Sequence, residues 1–393
     1  MKWAIAGKGR SGQAAYRFVV SRGDDAVLLD DAEQSLTPEA ILNCDAVILS
    51  PGIPRKHVAI QAALKAQKPL YNEIDLVAPK LSQAKFVGIT GTNGKSTTAA
   101  LLVSMVKEWE PSVFVGGNFG KPLCEAALDG DEPKVVILEL SSYQLETLSQ
   151  LKLDVAVLLN LSPDHLERYD SVEDYYETKR RIFDLLKPEG VKIEFPPLKK
   201  GGQGGFKMPP SLLGPHNLQN MNAAIQAAQA LGVPDDIIQK GLDNFKGMPH
   251  RLEILGKKNG VTFVNDSKAT TVESTIAALN CFDSGVHLIC GGKGKGSSYV
   301  PLVKTAQGKV KQVYAIGEDA PKIIQTFPRG EGVSQVSKDL KGRLMILREA
   351  FVAAVKNAQP GDVILLSPAC SSYDQFKNFE ERGELFRSLF NAL

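Results

Sequence analysis

The chain has 393 residues, of which 43% are hydrophobic and 23% charged, and this length predicts two or three domains with cores of their own. The 46 basic and 44 acidic residues nearly balance, which argues against a nucleic-acid-binding or membrane-binding surface. No apolar run approaches the ~18 residues of a membrane span, no signal peptide precedes the first strand, and the five cysteines share no C-x-x-C spacing. We therefore expect a globular cytoplasmic protein with free thiols.

Strand-like apolar runs alternate with helical patterns along the chain, which predicts an α/β fold with mostly parallel sheets. We divide the chain into a Rossmann-like first domain (1–82), a central P-loop ATPase-like domain (83–247) and a Rossmann-like third domain (248–393). The expected strands are at 2–6, 26–30, 46–50, 86–89, 135–140, 155–161, 261–265, 286–290, 312–316 and 362–367. The proline-rich and glycine-rich stretch 188–215 is predicted to be a mobile loop.

Two glycine turns follow strands of the first segment. Residues Gly7 to Gly12 fit G-x-G-x-x-G between a strand and a helix, and Asp30 ends the next strand, as in a dinucleotide-binding fingerprint. Two alternatives explain this turn: tight packing of the strand against the helix, and binding of NAD. With the second turn, Ser50–Pro54, we interpret it as a pyrophosphate cradle for an unspecified nucleotide.

The stretch Gly88–Thr98 is the most informative of the sequence. A short apolar strand leads into a glycine-rich turn with Lys95 and Ser96, and an amphipathic helix is predicted from Ser96 to Lys107. In such a phosphate loop, backbone N–H groups surround a polyphosphate, the lysine lies over the outer phosphates and the serine hydroxyl binds Mg²⁺. The generic pattern has glycine where this chain has Ile89. The flanking strand and helix still favour nucleotide binding.

Three further side chains are candidates for chemistry in the central segment. Glu139 ends an apolar strand beside the phosphate loop, where a Mg²⁺ ligand is expected, and His165 follows the next strand. Lys179 lies on the apolar stripe of a helix capped by Ser171. A lysine there either extends its amine to solvent or has its pKa lowered by burial. A neutral amine can react with CO₂ to give a carbamate, which is an anionic metal ligand.

Polar loops follow three strands of the third segment. They are Asn265–Thr270, Gly291–Lys295 and Ser367–Ser372. Ligands of open α/β sheets bind at the carboxyl ends of strands, and the lysines and hydroxyls of these loops suit carboxylates or phosphates. Each loop alone could be a solvated connection, but three on one edge would indicate a binding site.

Together these motifs resemble the Mur ligase family over nearly the whole chain, and within it the D-glutamate-adding branch. The shared motifs are Thr90-Gly91-Thr92-Asn93-Gly94-Lys95-Ser96, Leu138-Glu139-Leu140-Ser141-Ser142, Asp164-His165, His216-Asn217 with Asn220, and His250-Arg251. Those typical of the D-glutamate-adding branch are Asn265-Asp266-Ser267-Lys268-Ala269-Thr270, Ser367-Pro368-Ala369-Cys370-Ser371-Ser372 and Asp374-Gln375-Phe376-Lys377-Asn378-Phe379. The resemblance implies ATP-dependent addition of D-glutamate to UDP-N-acetylmuramoyl-L-alanine through an acyl phosphate, in peptidoglycan precursor synthesis.

The resemblance also implies roles for individual residues. Lys95, His165 and a carbamylated Lys179 are the implied catalytic residues. Two Mg²⁺ ions would be held by Ser96 and Glu139 and by His165 and Lys179. The implied ATP-binding residues are Gly91, Thr92, Asn93, Gly94, Lys95, Ser96, Thr97, Asn217, Asn220, Arg251 and Asp266. The residues implied for the UDP-linked substrate are Gly9, Arg10, Ser11, Ser50, Asn118 and Ser141, and those for D-glutamate are Lys268, Thr270, Lys295, Ser372 and Phe379.

Three alternatives stay open at this point. A sister Mur ligase or a folylpolyglutamate synthase would share the central domain but should lack the motif from Ser372 to Phe379. A nicotinamide-dependent oxidoreductase would explain the Gly7–Gly12 turn but leaves Lys95 and Glu139 without a use. A non-catalytic P-loop module would not need the third-segment loops. The expected partners are small-molecule substrates only, with no nucleic acid or membrane, and we expect a monomer.

Overall fold

The computed structural model describes residues 1–118, 120–164, 168–196, 205–214, 216–327, 334–336 and 345–393. These residues form two compact units, Met1–Met208 with His216–Phe245, and Pro209–Pro215 with Lys246–Leu393. Each predicted segment contains one sheet. The division into three domains, with boundaries after residues 82 and 247, stays a prediction.

A parallel sheet with strand order β2-β1-β3-β4 occupies the start of the first unit. Its strands are β1 (Lys2–Ala6), β2 (Asp25–Leu29), β3 (Ala46–Leu49) and β4 (Leu70–Tyr71). Its helices are α1 (Arg10–Ser21), α2 (Pro38–Leu42), α3 (Val58–Lys65) and α4 (Glu73–Val77), and a 3₁₀ turn spans Ala78–Lys80. All of β3 and the last four residues of β1 are buried, as expected for parallel strands covered by helices on both faces.

The second sheet of this unit is also parallel, with the order β6-β7-β5-β8-β9. Its strands are β5 (Lys85–Thr90), β6 (Val113–Gly117), β7 (Val135–Glu139), β8 (Leu153–Leu158) and β9 (Leu186–Glu194). Its helices are α5 (Lys95–Trp109), α6 (Leu123–Leu128), α7 (Ser142–Leu145), α8 (Val172–Arg180), α9 (His216–Ala230) and α10 (Asp235–Asn244), with a 3₁₀ turn at Arg181–Leu185. Because β5 lies between β7 and β8, the segments after all three strands meet beside the turn before α5.

The prediction of a loop over 188–215 is wrong for its first part, because β9 continues to Glu194. Pro188 is accommodated in an irregular stretch, where the pairing of Leu153 with Leu186 is followed by that of Val155 with Val191. Proline lacks an N–H group and is tolerated at such bulges and on edge strands, and β9 ends the order given above. Residues 197–204 and 215 lie outside the described residues, and 205–214 form no regular element.

The second unit contains a sheet with the order β10-β11-β15-β12-β13-β14, in which only the β10–β11 pair is antiparallel among the described strands. The strands are β10 (Glu253–Lys258), β11 (Val261–Asn265), β12 (Val286–Gly291), β13 (Val310–Ile316), β14 (Ser334–Val336) and β15 (Val363–Leu366). The helices are α11 (Val272–Leu279), α12 (Val300–Ala306), α13 (Ala320–Thr326), α14 (Leu347–Asn357) and α15 (Phe379–Asn391). Alternate residues of β12 and β15 enter apolar clusters on opposite faces of the sheet.

The predicted α/β fold with mostly parallel sheets is therefore confirmed, and most predicted strands coincide with observed ones within two residues. Within the described part of the chain, every helix is too short or too polar to cross a lipid bilayer. The five cysteines are free, and four of them are buried.

Candidate functional site

The turn between β5 and α5 has the conformation of a phosphate loop. Gly91 and Gly94 adopt positive φ angles of 152° and 85°, and a Cβ atom at Gly94 would collide with the side chain of Asn220 on α9. Lys95 is the first residue of α5, and its Nζ donates to the carbonyl oxygens of Gly91 at 2.8 Å and Thr92 at 2.9 Å. The lysine amine thus lies over the concave side of the turn, close to where backbone N–H groups of the helix N-terminus bind anions.

Asn160, which sequence reasoning missed, fixes the shape of this turn. Its Oδ1 accepts from the backbone N–H of Asn93 at 2.9 Å, its Nδ2 donates to the Asn93 carbonyl at 3.0 Å, and its own carbonyl accepts from the N–H of Thr92. The Thr92 hydroxyl also donates to the carbonyl of Ser162 at 3.1 Å. Asn160 falls within the expected strand 155–161, whereas β8 ends at Leu158.

Lys179 is buried on α8 and reaches the same turn. Only 2% of the residue is exposed, its Nζ donates to the Gly91 carbonyl at 2.9 Å, and the amine lies 4.7 Å from the centre of the Tyr175 ring. Burial, and then the nearby charge of Lys95, lowers the pKa of Lys179 to about 7. The predicted burial of this lysine is thus observed, and its lowered pKa makes the neutral amine more accessible than that of an exposed lysine.

Glu139 provides a carboxylate oxygen suited to a cation. The residue ends β7 and is 2% exposed, its Oε1 accepts from Asn118 Nδ2 at 2.7 Å, and its Oε2 has no hydrogen-bond partner within the part of the chain that the structure describes. An unpaired buried carboxylate oxygen is costly unless a ligand or cation meets it. Ser96 is also buried, at the start of α5. These two residues fit the predicted Mg²⁺ site, since Mg²⁺ prefers oxygen ligands and takes part of its shell from phosphates and water.

The structure describes most, but not all, of the other residues predicted for this centre. His165 lies outside the described residues. Asn217 and Asn220 are buried on α9 and bond to one another at 2.7 Å, with Asn220 packed against the phosphate loop as described above. Thr97 is buried in the first turn of α5. Among the described residues, no group of three His, Cys, Asp or Glu side chains is placed to hold a metal, so a Mg²⁺ ion here would depend on substrate oxygens.

The glycine turn of the first sheet is closely packed. Gly7 has a φ of 104°, a Cβ at Gly12 would collide with the Gly7 carbonyl, and the buried Ser50 hydroxyl donates to that carbonyl at 3.3 Å. No atom of the described residues lies within 4 Å of the position that a Cβ at Gly9 would occupy. Asp30 accepts from the backbone N–H groups of Lys8 at 2.8 Å and Ala32 at 2.9 Å. Its carboxylate is therefore engaged with backbone, which weakens the dinucleotide interpretation.

Two arginines join the glycine turns of the first sheet to helices and loops beside the second sheet in the same unit. Arg10 pairs with Glu125 at 2.8 Å and donates to the Gly120 carbonyl at 3.1 Å. Arg168 donates to the Pro51 carbonyl at 2.9 Å and pairs with Glu146 at 2.9 Å. The guanidinium of Arg10 is thus engaged with protein groups, and Ser11 is half-buried beside it.

Ser141, predicted to contact substrate, has a local structural role. Its Oγ accepts from the backbone N–H of Gln144 and its backbone N–H donates to the Gln144 side chain, which forms a capping box at the start of α7. The residue remains beside Glu139 at the end of β7, because only Leu140 separates the two.

The three polar loops of the second unit lie on one edge of its sheet, which is the arrangement that would indicate a binding site. They follow β11, β15 and β12, which are neighbours in the sheet. The Ala369 N–H donates to the Ala269 carbonyl at 2.9 Å, and the Lys293 N–H donates to the Ser371 carbonyl at 3.0 Å. The loops are therefore bonded to one another along the carboxyl ends of parallel strands.

Asp266 is a buried carboxyl group at the end of β11. It is 5% exposed and accepts from the Ser367 hydroxyl at 2.8 Å and the Leu252 N–H at 3.1 Å. Burial raises the pKa of Asp266 to about 7, and the charge of Arg251 opposes that effect. Nε of Arg251 is buried and has no partner among the described residues.

The residues predicted for D-glutamate are distributed over the same loops and the start of α15. Lys268 and Thr270 are half-buried, Lys295 is exposed and Ser372 is 2% exposed. Phe379 begins α15, and its ring lies 5.5 Å from the Lys268 amine. The structure thus groups these side chains on one edge of the sheet, and their binding roles stay predictions.

Similarity to known proteins bears on the identity of the chain. Residues 89–196 match the Mur ligase middle domain, and residues 250–370 match the glutamate ligase domain of Mur ligases. The UDP-N-acetylmuramoylalanine--D-glutamate ligase of Myxococcus xanthus (strain DK1622) is 38% identical, over 100% of this chain and 98% of that protein. The ligase of the same name from Aquifex aeolicus (strain VF5) is 36% identical, over 99% and 98%. The chain belongs to the Mur ligase family.

Solved structures of Mur ligases share its fold. The UDP-N-acetylmuramate-alanine ligase MurC of Thermotoga maritima has a TM-score of 0.61 at 17% identity, over 100% of this chain and 99% of that one. The MurF ligase of Thermotoga maritima, solved in complex with ADP, has a TM-score of 0.62 at 20% identity, over 90% and 92%. The predicted family, fold and ligase class are thereby confirmed for this Mur ligase.

Proposed function

We propose that this Mur ligase joins D-glutamate to UDP-N-acetylmuramoyl-L-alanine at the expense of ATP, in the synthesis of peptidoglycan precursors. The observation that carries the proposal is the edge of the sheet of the second unit, where the loops with Lys268, Lys295 and Ser372 are bonded together. Cations and hydroxyls on adjacent loops suit an acceptor with two carboxylates. The names of the full-length relatives support the same substrates.

The phosphate loop supports ATP as the phosphoryl donor. The loop would place its backbone N–H groups and the Lys95 amine against the phosphates. The Lys95 amine donates to two carbonyls of its own turn, which fixes its position relative to the loop. In phosphoryl transfer most of the catalysis comes from such positioning and from compensation of charge on the transferred group.

Mg²⁺ fits the donor set of Ser96 and Glu139, and a bound ion would neutralise charge on the phosphates. We propose His165 and a carbamylated Lys179 as ligands of a second ion. The support for the carbamate is the burial of Lys179 and the lowered pKa that follows from it. The neutral amine adds to CO₂, a nitrogen–carbon bond forms, and one proton is released to solvent.

The proposed reaction has two chemical steps. The terminal carboxylate of UDP-N-acetylmuramoyl-L-alanine attacks the γ-phosphorus of ATP, which gives an acyl phosphate and ADP. The amine of D-glutamate then attacks the acyl carbon, and inorganic phosphate leaves as the amide forms. Lys95 holds phosphate oxygens in the first step, and Lys268, Thr270, Lys295, Ser372 and Phe379 orient the acceptor in the second. We further propose ATP contacts from Asn217, Asn220, Arg251 and Asp266.

An assay of ADP release with UDP-N-acetylmuramoyl-L-alanine and a panel of D- and L-amino acids tests the proposal. We expect D-glutamate to be the best acceptor. Lys95→Ala should abolish ADP release, because this lysine compensates charge that develops during phosphoryl transfer. Lys107→Ala, an exposed lysine on the same helix, is the matched control and should retain activity. Equal use of L-lysine or meso-diaminopimelate would assign the chain to a sister activity.

The carbamate has its own test. ¹³C nuclear magnetic resonance of protein equilibrated with ¹³C-bicarbonate should show one carbamate signal that Lys179→Ala removes. That variant should also lose activity, and formate or acetate should restore part of it by occupying the vacated space. Arg180→Ala, whose side chain is 41% exposed on the same helix, is the control and should keep both signal and activity. Unchanged activity in CO₂-free buffer without a carbamate signal would refute this part of the proposal.

A further inference from the structure

Arg382 is a buried cation that bonds to two of the three polar loops of the second unit. It lies on α15, is 1% exposed, and is among the largest fully buried side chains of the described residues. Arginine is rarely buried to this degree unless its charge is compensated. The surroundings of its guanidinium group therefore need an explanation.

The guanidinium donates to neutral oxygens of the loops after β11 and β15. Its Nε donates to the Ser267 hydroxyl at 3.0 Å, and its Nη2 to the Ser267 carbonyl at 2.8 Å. Nη1 and Nη2 donate to the Cys370 carbonyl at 3.3 and 3.2 Å. The third loop is also near, since a Cβ at Gly292 would lie 3.3 Å from Nη1. One side chain thus holds the relative position of these loops.

No carboxylate of the described residues forms an ion pair with Arg382. Asp374 favours the charged form electrostatically, but its Oδ2 accepts from the Glu318 N–H at 3.1 Å. Burial lowers the pKa of Arg382 to about 10, so the group is still cationic at neutral pH. The charge is therefore only partly compensated, directly behind loops that carry Lys268 and Ser372.

The contacts continue from Arg382 to a predicted substrate-binding residue. The Ser267 hydroxyl that accepts from Arg382 donates in turn to the Phe379 carbonyl at 2.8 Å. Ser267 directly precedes Lys268, and Cys370 lies two residues before Ser372. A change at Arg382 would therefore move side chains on both loops and at the start of α15.

We propose that Arg382 is a positioning residue for the amino-acid acceptor, which aligns the loops of Lys268 and Ser372 and adds buried positive potential that favours a dicarboxylate. This inference rests on the proposed function, because it assigns the acceptor to this edge of the sheet. Arg382 would not touch the acceptor itself and would act on it through the two loops and through its charge.

Steady-state kinetics of four variants test the proposal. Arg382→Gln should raise the KM for D-glutamate about tenfold or more, with the KM for ATP and for the UDP-linked substrate changed less than about twofold. Arg382→Lys retains the positive charge but lacks the forked guanidinium group. Its KM for D-glutamate should therefore lie between those of wild type and Arg382→Gln. Ser267→Ala should raise the same KM without altering a buried charge. Tyr314→Phe, which removes a buried hydroxyl bonded to Gln312 and His287, is the control and should leave all three KM values unchanged.

The outcomes separate this inference from the proposed function. A wild-type enzyme that does not release ADP with D-glutamate would overturn both. Wild-type activity with an unchanged KM for D-glutamate in Arg382→Gln and Ser267→Ala would overturn this inference alone. If the Arg382 variants do not fold, the KM of Ser267→Ala for D-glutamate tests the inference: an increase supports it and an unchanged value overturns it. Equal increases of all KM values, with loss of thermal stability, would assign Arg382 a structural role and contradict the proposal.

Discussion

The carboxyl group of Glu73 gives a prediction about the stability of the first unit. Glu73 begins α4 and is 4% exposed, and it accepts from the backbone N–H groups of Leu123 at 3.3 Å and Cys124 at 3.0 Å, at the start of α6. These bonds favour the ionised form, but loss of hydration outweighs them, and burial raises the pKa of Glu73 from 4.5 to about 7. The folded unit therefore binds a proton at Glu73 more tightly than the unfolded chain does.

The sign and size of the effect follow by linkage. Below pH 4.5 both states are protonated and Glu73 causes no loss of stability; as the pH rises, the unfolded chain ionises first, and stability falls until the folded group ionises near pH 7. A pKa raised from 4.5 to about 7 corresponds to a loss of about 3 kcal/mol at pH 8. Glu73→Gln keeps an acceptor oxygen without this titration. Its stability relative to wild type should therefore increase by about 3 kcal/mol from pH 4.5 to pH 8.

Tryptophan fluorescence during urea unfolding measures this difference. The two tryptophans of the chain, Trp3 and Trp109, both lie in the first unit, so the signal reports on that unit alone. Glu132→Gln replaces an exposed glutamate of the same unit and should track wild type at every pH. A constant stability difference between Glu73→Gln and wild type across this pH range would refute the reasoning, because it would mean that Glu73 has the same pKa folded and unfolded.

Three further predictions concern the two proposed sites and the second unit. Ser372→Ala should raise the KM for D-glutamate about tenfold in the ADP-release assay, since it removes a donor to a carboxylate, with the KM for ATP nearly unchanged. Asn160→Ala should raise the KM for ATP about tenfold in the same assay, because two hydrogen bonds that shape the phosphate loop are lost, and an unchanged value would contradict that role. His287 is buried, and burial lowers its pKa, so the unfolded chain takes up the proton first as the pH falls below about 6.5. The second unit should therefore lose stability on acidification, and urea unfolding followed by circular dichroism should show a smaller loss for His287→Gln.

Much of the fold could be predicted from periodicity, because parallel strands buried on both faces are continuous apolar runs. β11 was predicted at its observed bounds, Val261–Asn265. The error over residues 188–194 came from treating Pro188 as the start of the proline-rich and glycine-rich loop that follows it. A strand at the edge of a sheet tolerates a proline where the pairing is irregular, and whether a strand lies at an edge depends on the order in which distant segments pair.

The candidate sites were predictable where a residue type and its local context carry the chemistry. Lys95 at a turn between strand and helix, and Lys179 on an apolar stripe, could both be recognised in this way, and the structure brings them to the same carbonyl of Gly91. Asn160 could not, because its bonds go to the backbone of Asn93, which lies 67 residues away in sequence. No local pattern marks a side chain that acts on a distant backbone segment.

The burial of Arg382 is a second feature that the local sequence does not predict. Its neighbours on α15 include exposed glutamates, so the sequence there is typical of a solvated helix face, where an arginine would pair with an acid at the next turn. The structure turns this one arginine inward, against carbonyls of two loops that are 115 and 12 residues away. The cost of burying its charge is offset by four hydrogen bonds that exist only after β11 and β15 have paired. A residue whose burial depends on the completed sheet can be identified only from the fold, and its role as a positioning group follows from the loops that it joins.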